Sequence, residues 1–351
     1  MKILFSKSLL DILSIKNGFL EQNDEHLRNS LSINQQYNLQ DLRKLCKNCQ
    51  LPLRQNYSDF TNHGVNYKIC EECSHLNGER DDSIKFTQWL YKDDGGSNYP
   101  SNYLDDYENR VSNIYLPKAK YLIDSLRDFC GVKTFSLSDF GCGGGHFVHA
   151  LSSLGIKAKG VDISDQLIEF ANKVWNQSNK FADEPPFLCL SSEDDLIREI
   201  IRSESDVISF IGVLEHLMNP VNALEAFVDS SAKYMFFSVP LFALSTFIEN
   251  VSSNTFPRVL SGGHTHLYTH ESIDYFCNKY SFEKVSEWHF GADAMDLRRS
   301  LIVETVKNGM SESAKELLEN KYFSPSIANE IQQVLDKHFG GSETHMLIKK
   351  R

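Results

Sequence analysis

The chain has no long apolar stretch. No segment approaches the roughly 20 consecutive apolar residues that a membrane-spanning helix needs, so no membrane span is expected. The first residues, Met1-Lys2-Ile3-Leu4-Phe5-Ser6-Lys7, lead into a stretch interrupted at Lys7, Asp11 and Lys16, which makes a poor signal peptide. With both signals missing, the expected location is the cytoplasm. A basic surplus is missing too: 36 Lys and Arg stand against 47 Asp and Glu, for a net charge of −11. Phosphate backbones are gripped by Lys and Arg, so a broad nucleic-acid footprint is not expected. What is present is ordinary for a globular protein, with 41% hydrophobic and 24% charged residues. A length of 351 residues suits one large domain with appendages, or two domains. No oligomeric state follows from these numbers.

Eight cysteines fall into two groups. Cys130, Cys142, Cys189 and Cys277 are scattered in apolar or glycine-rich surroundings and read as small core residues. Cys46-Lys47-Asn48-Cys49 and Cys70-Glu71-Glu72-Cys73 are two C-x2-C knuckles, a pattern that points to zinc in a reducing compartment. Each knuckle offers two thiolates from one tight turn, and four thiolates close a tetrahedron with no open position. Such a zinc is structural and holds together a segment too short to build its own core. His63 and His75 lie nearby as substitute ligands, and four unligated thiols are the alternative.

The densest signal is Ser136-Leu137-Ser138-Asp139-Phe140-Gly141-Cys142-Gly143-Gly144-Gly145, followed by His146-Phe147-Val148-His149-Ala150-Leu151. A short apolar strand that breaks into glycines and resumes a helical pattern is a tight strand-to-helix turn. The next helix points its first N–H groups at whatever occupies that turn. Ala158-Lys159-Gly160-Val161-Asp162-Ile163 then reads as a second strand ending in a carboxylate, placed to accept hydrogen bonds from ribose hydroxyls. Spacing alone shows a nucleoside-binding turn. The dinucleotide pattern G-x-G-x-x-G would need glycine at His146, which disfavours a nicotinamide-binding domain.

Strands are expected at 136–140, 158–162, 187–190, 207–211, 234–239, 283–290 and 344–349, alternating with helices at 146–154, 165–175, 193–202, 221–230 and 271–279. That rhythm implies a doubly wound, mostly parallel α/β sheet, with the glycine turn and Asp162 together at its carboxyl edge. The division expected is a helical extension over 1–41, a zinc module over 42–90, a core over 91–291, and a helical insertion plus final strand over 292–351. Residues 88–104 read as a linker, and Tyr103 and Tyr107 behind it are candidates for contacts over the cofactor.

The Asp139-x-Gly-x-Gly-x-Gly pattern with Asp162 resembles the S-adenosylmethionine site of class I methyltransferases. The resemblance implies a seven-stranded sheet whose last strand runs antiparallel between the fifth and sixth. It also implies S-adenosylmethionine held by Asp139, Gly141, Cys142, Gly143, Gly145, Asp162 and Ile163. Ser192 and Glu193 would meet the adenine, and Ile211 and Gly212 the methionine portion. Ser191 or Ser192 as a helix N-cap is compatible with the same role. Val213-Leu214-Glu215-His216-Leu217, with Asn219-Pro220 after it, resembles a stretch of small-molecule and sugar methyltransferases. Glu215 and His216 there suit either a hydrogen bond to a neighbouring loop or a catalytic role.

Gly262-Gly263-His264-Thr265-His266-Leu267-Tyr268-Thr269-His270 does not look like core filling. It resembles a His-Glu-His segment of sugar C-methyltransferases that also carry a four-cysteine module; Thr265 replaces the acid here. His264, His266, Tyr268 and His216 are the catalytic candidates, because neutral histidine titrates near working pH. No carboxylate cluster stands out beside the histidine pair, so metal is not expected there. The resemblance spans about 42–290. It implies methyl transfer to oxygen or carbon of a small hydroxylated acceptor, such as a nucleotide-linked or surface-polysaccharide sugar. A ribosomal-RNA methyltransferase with a zinc module and a non-catalytic cofactor-binding assembly protein are the alternatives.

Overall fold

The computed structural model describes residues 1–9, 18–91, 106–178, 184–260 and 263–351. Among the described residues, twelve strands form two sheets. They are β1 (Lys2–Phe5), β2 (Phe60–Asn62), β3 (Val65–Ile69), β4 (Leu76–Gly78), β5 (Ser136–Phe140), β6 (Lys157–Asp162), β7 (Phe187–Cys189), β8 (Val207–Ile211), β9 (Tyr234–Pro240), β10 (His266–Leu267), β11 (Phe282–Phe290) and β12 (Glu343–Lys350). The main sheet has the order β1-β11-β12-β9-β8-β5-β6-β7. All its pairings are parallel except those of β12, which runs antiparallel between β9 and β11.

Alternation along the strands builds a core on each face of this sheet. In β9, Met235, Phe237 and Val239 join Phe140, Ile208, Phe210 and Ile348 on one side. Phe236 joins Leu137, Val207 and Leu347 on the other. A strand covered on both faces is apolar at nearly every position, which is why Val207-Ile208-Ser209-Phe210 reads as a continuous run. Serine and threonine caps fix where the helices begin: Ser164 accepts from Leu167 N–H, Ser192 from Asp195 N–H, and Thr269 forms a capping box with Ser272. Chain order reverses at β5, flanked by β6 on one side and β8 on the other. The turns after β5 and β8 therefore splay apart at the carboxyl edge, where α/β sheets bind ligands.

The amino-terminal segment is not purely helical, as expected over 1–41. It opens with β1, an eighth strand parallel to β11, and Trp288 Nε1 donates to Ser6 O at 2.9 Å. Four residues are too few to show a period, and what holds them is the free edge of β11. A helix over Asn23–Tyr37 follows.

The cysteine module is not self-contained either. Its sheet has the order β10-β4-β3-β2, so one of its strands comes from the long connection after β9. Asn48 Nδ2 donates to Ser272 O at 2.8 Å, and Lys47, paired with Asp82, donates to Leu217 O at 2.9 Å. The module is thus bolted to the core around the end of β8. The insertion between β11 and β12 is helical over Asp293–Lys307, Glu312–Leu317 and Pro325–Lys337. A buried ion cluster anchors it: Arg258 Nη2 meets Asp296 at 2.8 Å, and Ser245 Oγ donates to Asp293 at 2.7 Å.

Candidate active site

At the carboxyl edge of β5, β6 and β8 lies a cleft lined by the glycine turn, Asp162, the start of the helix after β7, and the turn after β8. Gly141, Gly143 and Gly145 all have positive φ. At Gly141 this is obligatory on two counts, since a Cβ there would sit 2.5 Å from Val213 Cγ2 and φ is +73°. The turn therefore brings backbone, not side chain, up to the cleft floor.

Asp162 is the carboxylate of this floor, 8% exposed. Its Oδ2 accepts from Gly143 N–H at 2.8 Å and its Oδ1 from Ser164 N–H at 2.9 Å. Burial pushes its pKa up, and those N–H groups pull it back. A carboxylate accepts about four hydrogen bonds; two are used to fix the side chain, leaving lone pairs for a vicinal diol. Asp139 lies deeper, with Ser209 Oγ donating to it at 2.6 Å. Burial pushes Asp139 up to about 7. The folded chain therefore holds that proton between the ordinary carboxyl pKa and about 7, while the unfolded chain releases it. Stability from this group is lost as pH rises through that window. Thermal melts of Asp139→Asn should gain on the parent from pH 4 to pH 7; a constant difference would contradict the buried acid.

Of the candidate cofactor residues, Asp139, Gly141, Cys142, Gly143, Asp162, Ile163, Ser192, Glu193, Ile211 and Gly212 line the cleft. Ser192 caps its helix, and Glu193 accepts from Met218 N–H at 3.0 Å and Asn219 N–H at 3.2 Å, tying the turns after β7 and β8 together. Gly145 does not line it; its left-handed φ starts the next helix, packed against the Phe187 ring. Tyr107 does not line it either. Its ring lies 4.1 Å from that of His146, on the flank of the helix after the glycine turn, while Tyr115 on the same helical run reaches the cleft. Tyr103 lies outside the described residues.

The catalytic candidates separate into two pairs. His216 lines the cleft, and His264 lies beside it with ring centroids 4.9 Å apart and planes tilted by 41°. His216 Nδ1 lies 2.9 Å from Gly263 O and 2.8 Å from Tyr91 Oη; His264 Nδ1 lies 2.8 Å from Val259 O. Burial and the neighbouring His264 hold the His216 pKa down to about 3, so this imidazole is neutral. His266 and Tyr268, by contrast, are completely buried. His266 sits in β10 opposite Asn77, with Nδ1 2.8 Å from His75 Nε2. They belong to the joint between the cysteine module and the core, and neither is among the residues lining the cleft. His266→Ala is expected to cost about 1–3 kcal/mol of stability by stripping a buried partner. Its lowered melting temperature should come with normal turnover per folded molecule.

Sequence reasoning missed the wall opposite the glycine turn. Ile84, Thr87, Gln88 and Tyr91 line the cleft from the helix Ile84–Tyr91, which extends into the stretch read as linker. Their i, i+3, i+4, i+7 spacing is the signal of one helix face.

The four cysteines converge as well. Cys46 and Cys73 Sγ are 3.7 Å apart, Cys49 and Cys70 Sγ 3.5 Å, and all four lie within 4.8 Å of one another. Zinc–sulfur bonds of about 2.3 Å give a tetrahedral edge of about 3.8 Å, so the donor set fits zinc. Asn48 N–H and Asn77 Nδ2 approach Cys46 Sγ at 3.4 and 3.5 Å, as donors to a thiolate do.

Residues 115–287 match a family model described as a methyltransferase domain. A ubiquinone biosynthesis O-methyltransferase of Thiobacillus denitrificans is 28% identical over 104 residues, 30% of this chain and 41% of that protein. The chain thus aligns with less than half the length of that curated relative. Among solved structures, magnesium protoporphyrin IX methyltransferase of Synechocystis with bound S-adenosylhomocysteine gives a TM-score of 0.48 at 11% identity, covering 77% of this chain and 100% of that one. A plantazolicin methyltransferase in complex with S-adenosylhomocysteine gives 0.45 at 18% identity, covering 76% and 94%.

Proposed function

We propose that residues 115–287, which match a methyltransferase-domain model, form a class I S-adenosylmethionine-dependent domain that methylates oxygen or carbon of a small hydroxylated acceptor, a sugar or nucleotide-linked sugar. The observation that carries this is one continuous cleft. It is lined by Asp162 and the glycine turn and also by Thr87, Gln88, Tyr91 and His216, which we take as its donor end and its acceptor end. The first end suits a nucleoside diol. The second offers hydroxyl, amide and imidazole groups, which suit an acceptor bearing several hydroxyls.

When bound, S-adenosylmethionine supplies a methyl group already activated on a sulfonium. The protein's share is alignment and exclusion of water, worth on the order of 7–11 kcal/mol at best. Asp139, Gly141 and Gly143 on one side and Ile211 and Gly212 on the other would hold the donor. Glu193 fixes the two turns between them. At the acceptor end, Glu215, His216 and His264 are the groups able to deal with the proton an acceptor hydroxyl loses.

The four thiolates would hold a structural zinc whose role is mechanical. Cys46 is followed by Lys47 and Asn48, which grip Leu217 O and Ser272 O, so the module positions the acceptor end. The sugar reading draws support from the paired features of four-cysteine module and His264-Thr265-His266 segment. The net charge of −11 weighs against a nucleic-acid acceptor.

The test is turnover of methyl-labelled cofactor against a panel of sugar nucleotides. His216→Ala should lower turnover about a hundredfold or more while leaving S-adenosylhomocysteine affinity unchanged. No transfer to any sugar, with transfer to ribosomal RNA instead, would overturn the acceptor class.

A further inference from the structure

Beside the acceptor end stands a carboxylate oxygen that the described walls do not satisfy. Glu215 is 3% exposed in the turn after β8, and its Oε2 is buried with no hydrogen-bond partner among the described residues. A buried carboxyl oxygen in that state is costly and rare. Its other oxygen is the nearest atom to a Cβ built on Gly212, at 3.6 Å, which places the group directly under the cleft wall. One ligand-competent atom from each of Glu215, His216 and His264 lies within 4.8 Å of the others.

The two imidazoles are oriented alike. Each Nδ1 faces a backbone carbonyl, Gly263 O for His216 and Val259 O for His264. A carbonyl only accepts, so with the Tyr91 hydroxyl donating to Gly263 O at 3.2 Å and accepting from His216 Nδ1, each Nδ1 carries the proton and each Nε2 the lone pair. A histidine whose second nitrogen donates to a carbonyl is the arrangement metal ligands adopt.

We propose that Glu215, His216 and His264 together hold one divalent first-row cation at the acceptor end, and that the cation binds hydroxyl oxygens of the acceptor. The proposal rests on the methyl-transfer reading and states how these three groups serve it. Two imidazoles and a carboxylate fill three positions of an octahedron and leave three for water or substrate. With bonds of about 2.0–2.2 Å, cis donors stand about 3.0 Å apart and trans donors about 4.3 Å, so a set within 4.8 Å closes by side-chain shifts of about 1–2 Å. Nitrogen donors favour Mn²⁺, Fe²⁺, Co²⁺ or Zn²⁺ over Mg²⁺ and Ca²⁺, which prefer oxygen throughout. Lys47, the buried cation nearby, is already paired with Asp82. A cation-bound hydroxyl is a stronger acid than a free one. Its proton passes to water in the cleft, its oxygen forms the new bond to the methyl carbon, and the methyl–sulfur bond breaks with its electron pair left on sulfur.

The experiment is a Mn²⁺ titration of the full chain followed by electron paramagnetic resonance, beside calorimetric titration of S-adenosylhomocysteine. Mn²⁺ stands at the weak end of the affinity order and prefers oxygen and nitrogen, so it leaves the four thiolates to their own metal. One Mn²⁺ per chain is expected, with affinity reduced about tenfold or more in Glu215→Gln and in His264→Ala. S-adenosylhomocysteine affinity should stay within about twofold in both variants, which also reports that they fold; if Glu215→Gln does not, His264→Ala carries the comparison. A parent protein that binds S-adenosylhomocysteine but takes up no more Mn²⁺ than His264→Ala would overturn the cation site alone. One that fails to bind S-adenosylhomocysteine would overturn the methyl-transfer reading.

Discussion

Chelating the zinc proposed at the four cysteines, or replacing Cys46 with serine, is expected to abolish methyl transfer and lower the melting temperature by about 10 °C or more. The size of the effect follows from how little else holds the module. Around the cysteines the buried apolar residues are few, chiefly Leu53 with Tyr275 against it. Structural zinc supplies about 10–16 kcal/mol to folding in small modules of this kind. The damage would not stay local. β4 pairs with β10, and the Lys47 and Asn48 bonds hold the turn after β8 and the helix that begins at His270. Metal analysis with circular dichroism before and after chelation checks this. A metal-free protein with unchanged melting and unchanged turnover would remove zinc from the scheme.

Asp162→Ala is expected to weaken S-adenosylhomocysteine binding about a hundredfold. Each charge-assisted bond to a ribose hydroxyl is worth about 1.5–3 kcal/mol, and alanine removes the acceptor for both. It also frees Gly143 N–H and Ser164 N–H, which the carboxylate now fixes, so the turn loses its brace. Calorimetry gives the affinity directly, and a variant that binds like the parent would contradict the ribose assignment.

The sheet was readable from the chain because its strands are covered on both faces. Val207–Ile211 and Tyr234–Pro240 show as apolar runs, and the glycine turn with Asp162 shows by spacing. β1 was not readable, since its reason for being a strand is the edge of β11, hundreds of residues away. His264 and His266 look equivalent as neighbours in a polar loop. Only pairing of His266–Leu267 with β4 turns one into the buried joint and leaves the other beside the cleft. Glu215 was visible but could not be matched with His264, because the turn after β8 and the connection after β9 meet only in three dimensions. Tyr91 was hidden by its setting, the last turn of a helix running into a stretch rich in Gly, Ser and Asn.

The most direct test is a crystal structure of the protein grown with S-adenosylhomocysteine. The adenosyl group should lie over the glycine turn, with both ribose hydroxyls within hydrogen-bonding distance of Asp162 and the sulfur directed toward Tyr91 and His216. Density for it elsewhere on the molecule, or a carboxylate of Asp162 turned away from the sugar, would contradict the assignment of this cleft.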